Sequence, residues 1–237
     1  MTLRARVLEA LGTVYDPELD EPITTLGFVG SCVVSDAGDV QVRLRLPTPQ
    51  CAPNFAFLMA ADARTAVRRL PEAREVHVVL EDHYTGEEIN EAVARGAGFD
   101  SAFPGETEGD LEALRALFHR KALLARQSRL LSVPASRLGE LTGPDADRCR
   151  ALRRALGIDA SDDAPPFVTG DGMPVDASDV RFRRMSSLTA LSLETNGGIC
   201  RDLLKNRNRI PPTPRPTGHS VSCDVPLGTP EGEEVAA

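Results

Sequence analysis

Cys51 is the residue of this sequence with the most chemistry in its reach. It stands in Thr48-Pro49-Gln50-Cys51-Ala52-Pro53, just ahead of a segment with helical spacing, and Pro53 suits a first helical position. A helix start offers unpaired N–H groups and a partial positive charge. Both favour the thiolate, the form of cysteine that binds metal or acts as a nucleophile. Thr48 can donate a hydrogen bond to such a thiolate. Asp16 and Glu18, on either side of Pro17, bring carboxylates of a kind that suits iron, and His83 is a candidate nitrogen ligand. Cys200 follows Gly197-Gly198, where another helix is expected to begin, and is a candidate second thiol or part of an anion site.

Taken singly, each of these residues also has a plain structural reading. A lone cysteine is a small apolar core residue, Asp16 and Glu18 are ordinary at a helix end, and a histidine such as His83 often only packs. Cys32 falls within an expected strand and reads as core.

The elements that would position these groups follow from periodicity. Residues 2–14 place Leu3, Val7, Ala10, Leu11 and Val14 on one side of a helix. Phe28 to Val34 reads as a strand, Asp36 to Asp39 as a turn, and Val40 to Leu46 alternates apolar and polar residues in a second strand. Phe55, Leu58, Met59, Ala63, Ala66, Val67 and Leu70 give helical spacing, and Val76, Val78 and Leu80 a third strand. The first two strands form a hairpin; the second and third, joined through a helix, run parallel. The loops 16–27, 48–52 and 82–84 then converge at one edge of the sheet, bringing Asp16, Glu18, Thr48, Cys51 and His83 to the same end of the domain.

The rest of the chain reads as mainly helical. A short helix precedes Gly96 to Gly98, Thr107 to Asp110 resembles a capping box, and a long helix runs from Leu111 to about Leu131. Pro134 and Pro144 are expected to start two more. A strand is expected near Phe167 and another over Leu188 to Leu193, followed by a turn at Asn196-Gly197-Gly198 and a helix from Ile199 to Asn206. The organisation expected is an α/β (α+β) domain over 2–84, with a three-stranded mixed sheet and two helices. A mainly α-helical region over 85–209 follows, then a disordered Pro-rich tail over 210–237.

Composition narrows the function. A net charge of -8 argues against sequence-independent nucleic-acid binding. No apolar run approaches the ~20 residues that cross a bilayer, and no signal peptide is recognisable, so a cytoplasmic location is expected. The five cysteines include no C-x-x-C pair, which argues against a disulfide framework and a self-contained four-cysteine site. Two lysines against many arginines and alanines fit a GC-rich, bacterial genome.

Asp16-Pro17-Glu18, Leu26-Gly27-Phe28-Val29 and Thr48-Pro49-Gln50-Cys51-Ala52-Pro53, together with a valine-rich strand after Leu70-Pro71, resemble the PaaD/SufT-like iron–sulfur cluster assembly family. The resemblance covers about the first third of the chain. Asp16, Glu18, Thr48 and Cys51 match the family's pattern. The family often has proline directly after the cysteine; here Ala52 intervenes.

The resemblance implies an assembly or maturation factor, not an enzyme. It would handle iron or a labile iron–sulfur cluster transiently, hold no cofactor tightly, and have a client metalloenzyme subunit as its partner. By analogy with PaaD-like relatives, a multicomponent di-iron monooxygenase is a candidate client. The remaining ligands would come from the client, a second copy of the chain or the carboxylates. Residues 85–209 would dock the client or form a lid over the Cys51 edge. Two other readings stay open: a cysteine-dependent hydrolase or transferase pairing Cys51 with His83, and a metal-free scaffold.

Overall fold

A computed structural model describes residues 1–105 and 111–209. The expected capping box at Thr107 to Asp110 and the expected disordered tail over 210–237, with Cys223, lie outside the described residues.

The first domain has the expected mixed sheet. Helix α1 (Leu3–Leu11) leads through a long loop to β1 (Val29–Val34), β2 (Val40–Arg45), α2 (Pro53–Arg68) and β3 (Val76–Glu81). The strand order is β1-β2-β3. β1 pairs antiparallel with β2, with an irregularity between Val29 and Ser31, and β2 pairs parallel with β3, with Val40 opposite Val76 and Arg45 opposite Glu81. Alternation explains the burial: Val40, Val42 and Leu44 face the core, while Gln41 and Arg43 face solvent. α1 and α2 cover that face with Val7, Leu11, Ala56, Met59, Ala60, Ala63 and Val67.

This core does not stop at residue 84. Helices α3 (Gly86–Arg95) and α4 (Phe99–Ala102) add Ile89, Ala92 and Val93, and Phe103 follows them into the same cluster. Asn90 ties α3 to β3 by accepting the Leu80 N–H at 2.8 Å and donating to the Leu80 carbonyl at 3.1 Å.

A second core is built by α5 (Leu111–Leu130), α6 (Pro144–Ala155) and α7 (Val180–Arg209), around Leu123, Leu130, Leu138, Leu141, Leu152, Phe167 and Phe182. Arg153 is fully buried there. Its guanidinium donates to the carbonyls of Pro165 and Pro166, each at 2.8 Å, and so fixes the loop before Phe167.

Several expectations for this half are corrected. Pro144 starts α6, but Pro134 starts no helix; the segment after it forms only a 3-10 turn over Leu138–Glu140. Its backbone donors go to distant partners instead, Leu138 N–H to Ala164 and Gly139 N–H to Asp162. The expected strand at Phe167 is a single bridge between Val168 and Pro174. The expected strand at Leu188 to Leu193, the turn at 196–198 and a helix start at Ile199 are all replaced by one continuous 30-residue helix, α7. Leu188 and Leu191 are exposed on it.

Two helices span both cores. α5 begins against the first domain, where Phe118 meets Phe55 edge-on at 5.0 Å and Arg115 pairs with Asp62 at 2.6 Å, and ends in the second core. α7 begins in the second core with Phe182 and ends on the first with Leu204. A polar seam reinforces the junction. Asp20, its side chain only 3% exposed, accepts from Arg126 at 2.7 Å and Arg148 at 2.6 Å, and Arg126 also reaches Asp145 at 2.9 Å.

Candidate functional site

β2 and β3 are parallel and end side by side, so the loops that leave them share an edge. The first carries Thr48 and Cys51, the second His83. Ala52 is the N-cap of α2 and Pro53 stands at its start, which puts Cys51 one residue before the cap. The half-buried Cys51 sulfur lies 3.5 Å from the Thr48 hydroxyl. That hydroxyl already accepts the Gln50 N–H at 3.2 Å, so its own hydrogen is free to point at sulfur.

His83 meets Cys51 through the backbone. Its Nε2 donates to the backbone carbonyl of Cys51 at 2.7 Å, while Nδ1 accepts from the Thr85 N–H at 3.3 Å and faces the Thr85 hydroxyl at 3.1 Å. Both ring nitrogens are engaged, which leaves no lone pair for a metal. Burial, with Arg207 nearby, pulls the imidazole below its ordinary pKa despite the bond to Cys51. A second stitch, Tyr84 N–H to the Pro49 carbonyl at 3.1 Å, holds the two loops together. His83 thus shapes the cysteine loop, a role at odds with its expected place among the ligands.

The acidic loop divides its two carboxylates. Asp16 is 7% exposed, and its Oδ1 accepts the N–H groups of Glu18 at 2.9 Å and Leu19 at 2.8 Å. Burial pushes its pKa up to about 6, against the lowering effect of those two bonds. Asp16 lines a polar cleft of about 210 Å³ with Asp62, Arg115, His119 and Arg148. Glu18 is exposed and opens onto a different hollow between α5 and α7. Asp16 therefore folds the loop, and Glu18 is the carboxylate open to solvent.

Cys200 is not at a helix start; it lies inside α7. It nevertheless reaches this edge, because the C-terminal half of α7 is laid across it. Cys200 and Cys51 both pack against the first core. Arg207 donates to the carbonyls of Leu46 and Asp82, the residues that follow β2 and β3. Arg201 holds Glu21 at 2.8 Å. Arg201 and Arg207 were not anticipated from the sequence; the signal was the helical spacing of Gly197, Cys200, Leu204 and Arg207.

Among the described residues, no three His, Cys, Asp or Glu side chains converge as a ready-made metal site. The donors near this edge, a thiol with an assisting hydroxyl and an exposed carboxylate, are chemically suited to iron but too few to enclose it.

The comparisons with known proteins match the chain within this mixed α/β unit and little beyond it. Residues 4–78 match the model of a family described as iron-sulfur cluster assembly protein. An uncharacterized protein of Methanocaldococcus jannaschii is 35% identical over 91 residues, which cover 38% of this chain and 94% of the relative. An iron-sulfur cluster carrier protein of Deinococcus radiodurans is 37% identical over 73 residues, 30% of this chain and 20% of that one. No solved structure matches significantly. The chain belongs to the iron–sulfur cluster assembly family through its N-terminal domain, and a general part in iron–sulfur handling and maturation goes with that membership.

Proposed function

We propose that the protein passes iron or a labile iron–sulfur cluster to a client metalloenzyme, with Cys51 as the point of attachment. The observation that carries this reading is the Cys51 thiol itself, placed one residue before the cap of α2, half-exposed and faced by the Thr48 hydroxyl. Too few donors for a closed site suits a carrier, since cargo held by an incomplete set can be completed by the client or by a second copy of this chain. The four described cysteines are free thiols, in keeping with a reducing cytoplasm. Engagement of His83 by the Cys51 carbonyl weighs against a hydrolase, whose base must reach the nucleophile.

The client, by family analogy a multicomponent di-iron monooxygenase, docks in this reading on the helical region. α7 exposes Met185, Leu188, Leu191 and Ile199 along its length. The test is co-expression with a candidate oxygenase component. Cys51→Ala should lower the client's bound iron while leaving its soluble yield intact. Leu188→Glu with Leu191→Glu should abolish co-purification. Full iron loading with Cys51→Ala would make the protein a metal-free scaffold instead.

A further inference from the structure

The first half of α7, residues 180–193, holds three arginines and no acidic residue, on a chain whose net charge is -8. Arg181, Arg184, Leu188 and Leu191 recur at steps of three and four and so share one face of the helix. All four are exposed, Leu188 to 57% and Leu191 to 60%. Among the described residues, neither Arg181 nor Arg184 has a hydrogen-bond or ion-pair partner. Leu188 also lines a hollow of about 350 Å³ between α5 and α7, together with Phe118, Lys121, Met185 and Leu193. The Lys121 ammonium stands 4.8 Å over the Phe118 ring, and that ring meets Phe55 edge-on at 5.0 Å. Phe55 is in the first turn of α2, directly after the Cys51 loop.

We infer that this face of α7, with the hollow beside it, receives an acidic amphipathic helix of the client. This deepens the proposed function and rests on it. Two packed helices with a hollow between them form a groove, and a third helix seats in such a groove through apolar residues at three- and four-residue steps. Met185, Leu188, Leu191 and Phe118 supply the apolar contact. Lys121, Arg181 and Arg184 supply the selection, since cations without carboxylate partners attract an acidic segment and repel a basic one. Glu18 also borders the hollow, so the partner's acidic residues belong at the Arg181 end of the face. The overall negative charge of the chain disfavours nucleic acid and an anionic bilayer as the occupant. A helix seated on Phe118 is one aromatic contact away from the helix that begins at the Cys51 loop.

The experiment measures fluorescence anisotropy of labelled peptides against the full-length protein. The probe is a synthetic helix of leucine, glutamate and alanine, with leucines on one side and glutamates on the other. The controls are the same peptide with lysine in place of glutamate, and vesicles of phosphatidylglycerol. The acidic peptide should bind, more weakly as salt rises, and the basic peptide should bind at least about tenfold more weakly. Arg181→Glu with Arg184→Glu should weaken the acidic peptide by at least about tenfold and strengthen the basic one. Lys121→Glu, the second variant, should move both peptides in the same directions, and far-ultraviolet circular dichroism monitors folding. An acidic peptide that fails to bind, or that binds the charge-reversed variants undiminished, overturns the inference. So does vesicle binding that needs the two arginines while the peptide fails. The carrier reading survives either result if Leu188→Glu with Leu191→Glu still abolishes client co-purification. Its own failure shows as full client iron loading with Cys51→Ala, a measurement the peptides do not enter.

Discussion

Arg207 donates to the carbonyl of Leu46, tying the last turn of a 30-residue helix to the residue from which the cysteine loop departs. Its second bond, to the Asp82 carbonyl at 2.9 Å, reaches the start of the neighbouring loop. One guanidinium fork thus clamps the ends of two parallel strands. Hydrogen bonds from a charged donor contribute about 1.5–3 kcal/mol each. Arg207→Ala should therefore loosen the end of α7 and leave the sheet intact. Amide hydrogen exchange should rise by at least about tenfold over residues 198–209, with β2 and β3 unchanged. Arg207→Lys should not restore protection, because a single ammonium lacks the planar fork. Unchanged exchange in the alanine variant would show that the clamp holds nothing.

The thiols should separate by accessibility. Cys149 is buried and pushed up to about 12, and burial also raises Cys32. Thiolate formation and approach of a reagent are both suppressed at these two sites. With Cys223 replaced by serine, alkylation of the native protein at about pH 8 should modify Cys51 first, Cys200 later, and Cys32 and Cys149 only after unfolding. Peptide mass mapping over time reads the order. Cys51 remaining unmodified in the folded protein would contradict the exposed-thiol picture.

Asp16 makes stability depend on pH in a defined direction. Its carboxyl sits at about 6 in the fold against 3.8 when free, chiefly through burial. Between those values the native state holds a proton that the unfolded chain has released. Raising the pH through that window therefore removes stability, about 3 kcal/mol in all. Asp16→Asn keeps an oxygen for the Glu18 and Leu19 N–H groups and cannot ionise. Its stability relative to wild type, measured by urea unfolding, should rise from about pH 4 to about pH 7 and then level off. A pH-independent difference would mean that Asp16 is not desolvated.

Asp20 should matter to the junction between the cores through its charge. It meets two guanidinium groups, each with its side chain 16% exposed, while its own is 3% exposed. Removing one partner of a buried ion pair costs about 3–5 kcal/mol, because the other charge is left desolvated. Asp20→Ala should lower unfolding stability by roughly the lower end of that range, Arg126 having Asp145 in reserve. Urea unfolding followed by circular dichroism measures it; a loss below about 1 kcal/mol would reduce the seam to surface chemistry.

The first domain was legible because its signals are local. Alternation in Val40 to Leu46 needs only a strand with one wet face, and the order of elements then dictates hairpin and parallel pairing. The convergence of the Cys51 and His83 loops follows from that order. What His83 does there was not legible, since its partner is a backbone carbonyl 32 residues away. The second half hid its structure in long-range partners. Nothing local says that the N–H groups of Leu138 and Gly139 will be taken by Ala164 and Asp162. Leu188 to Leu193 has the apolar density of a strand, and Asn196-Gly197-Gly198 reads as a break. A helix held at both ends by packing overrides the glycine cost of about 1 kcal/mol each. A Cβ on Gly197 would stand 3.1 Å from Glu21 Oε1, so the helix approaches the first domain closely there.

The bond between Arg207 and Leu46 joins residues 161 positions apart. Everything that builds the sheet and the cysteine loop is made before the helix that covers it. Domains generally fold as units, the N-terminal one first as the chain emerges. A newborn chain therefore displays its Cys51 edge bare before α7 exists to close over it. The order of synthesis thus leaves that edge open to solvent for an interval before α7 seats on it.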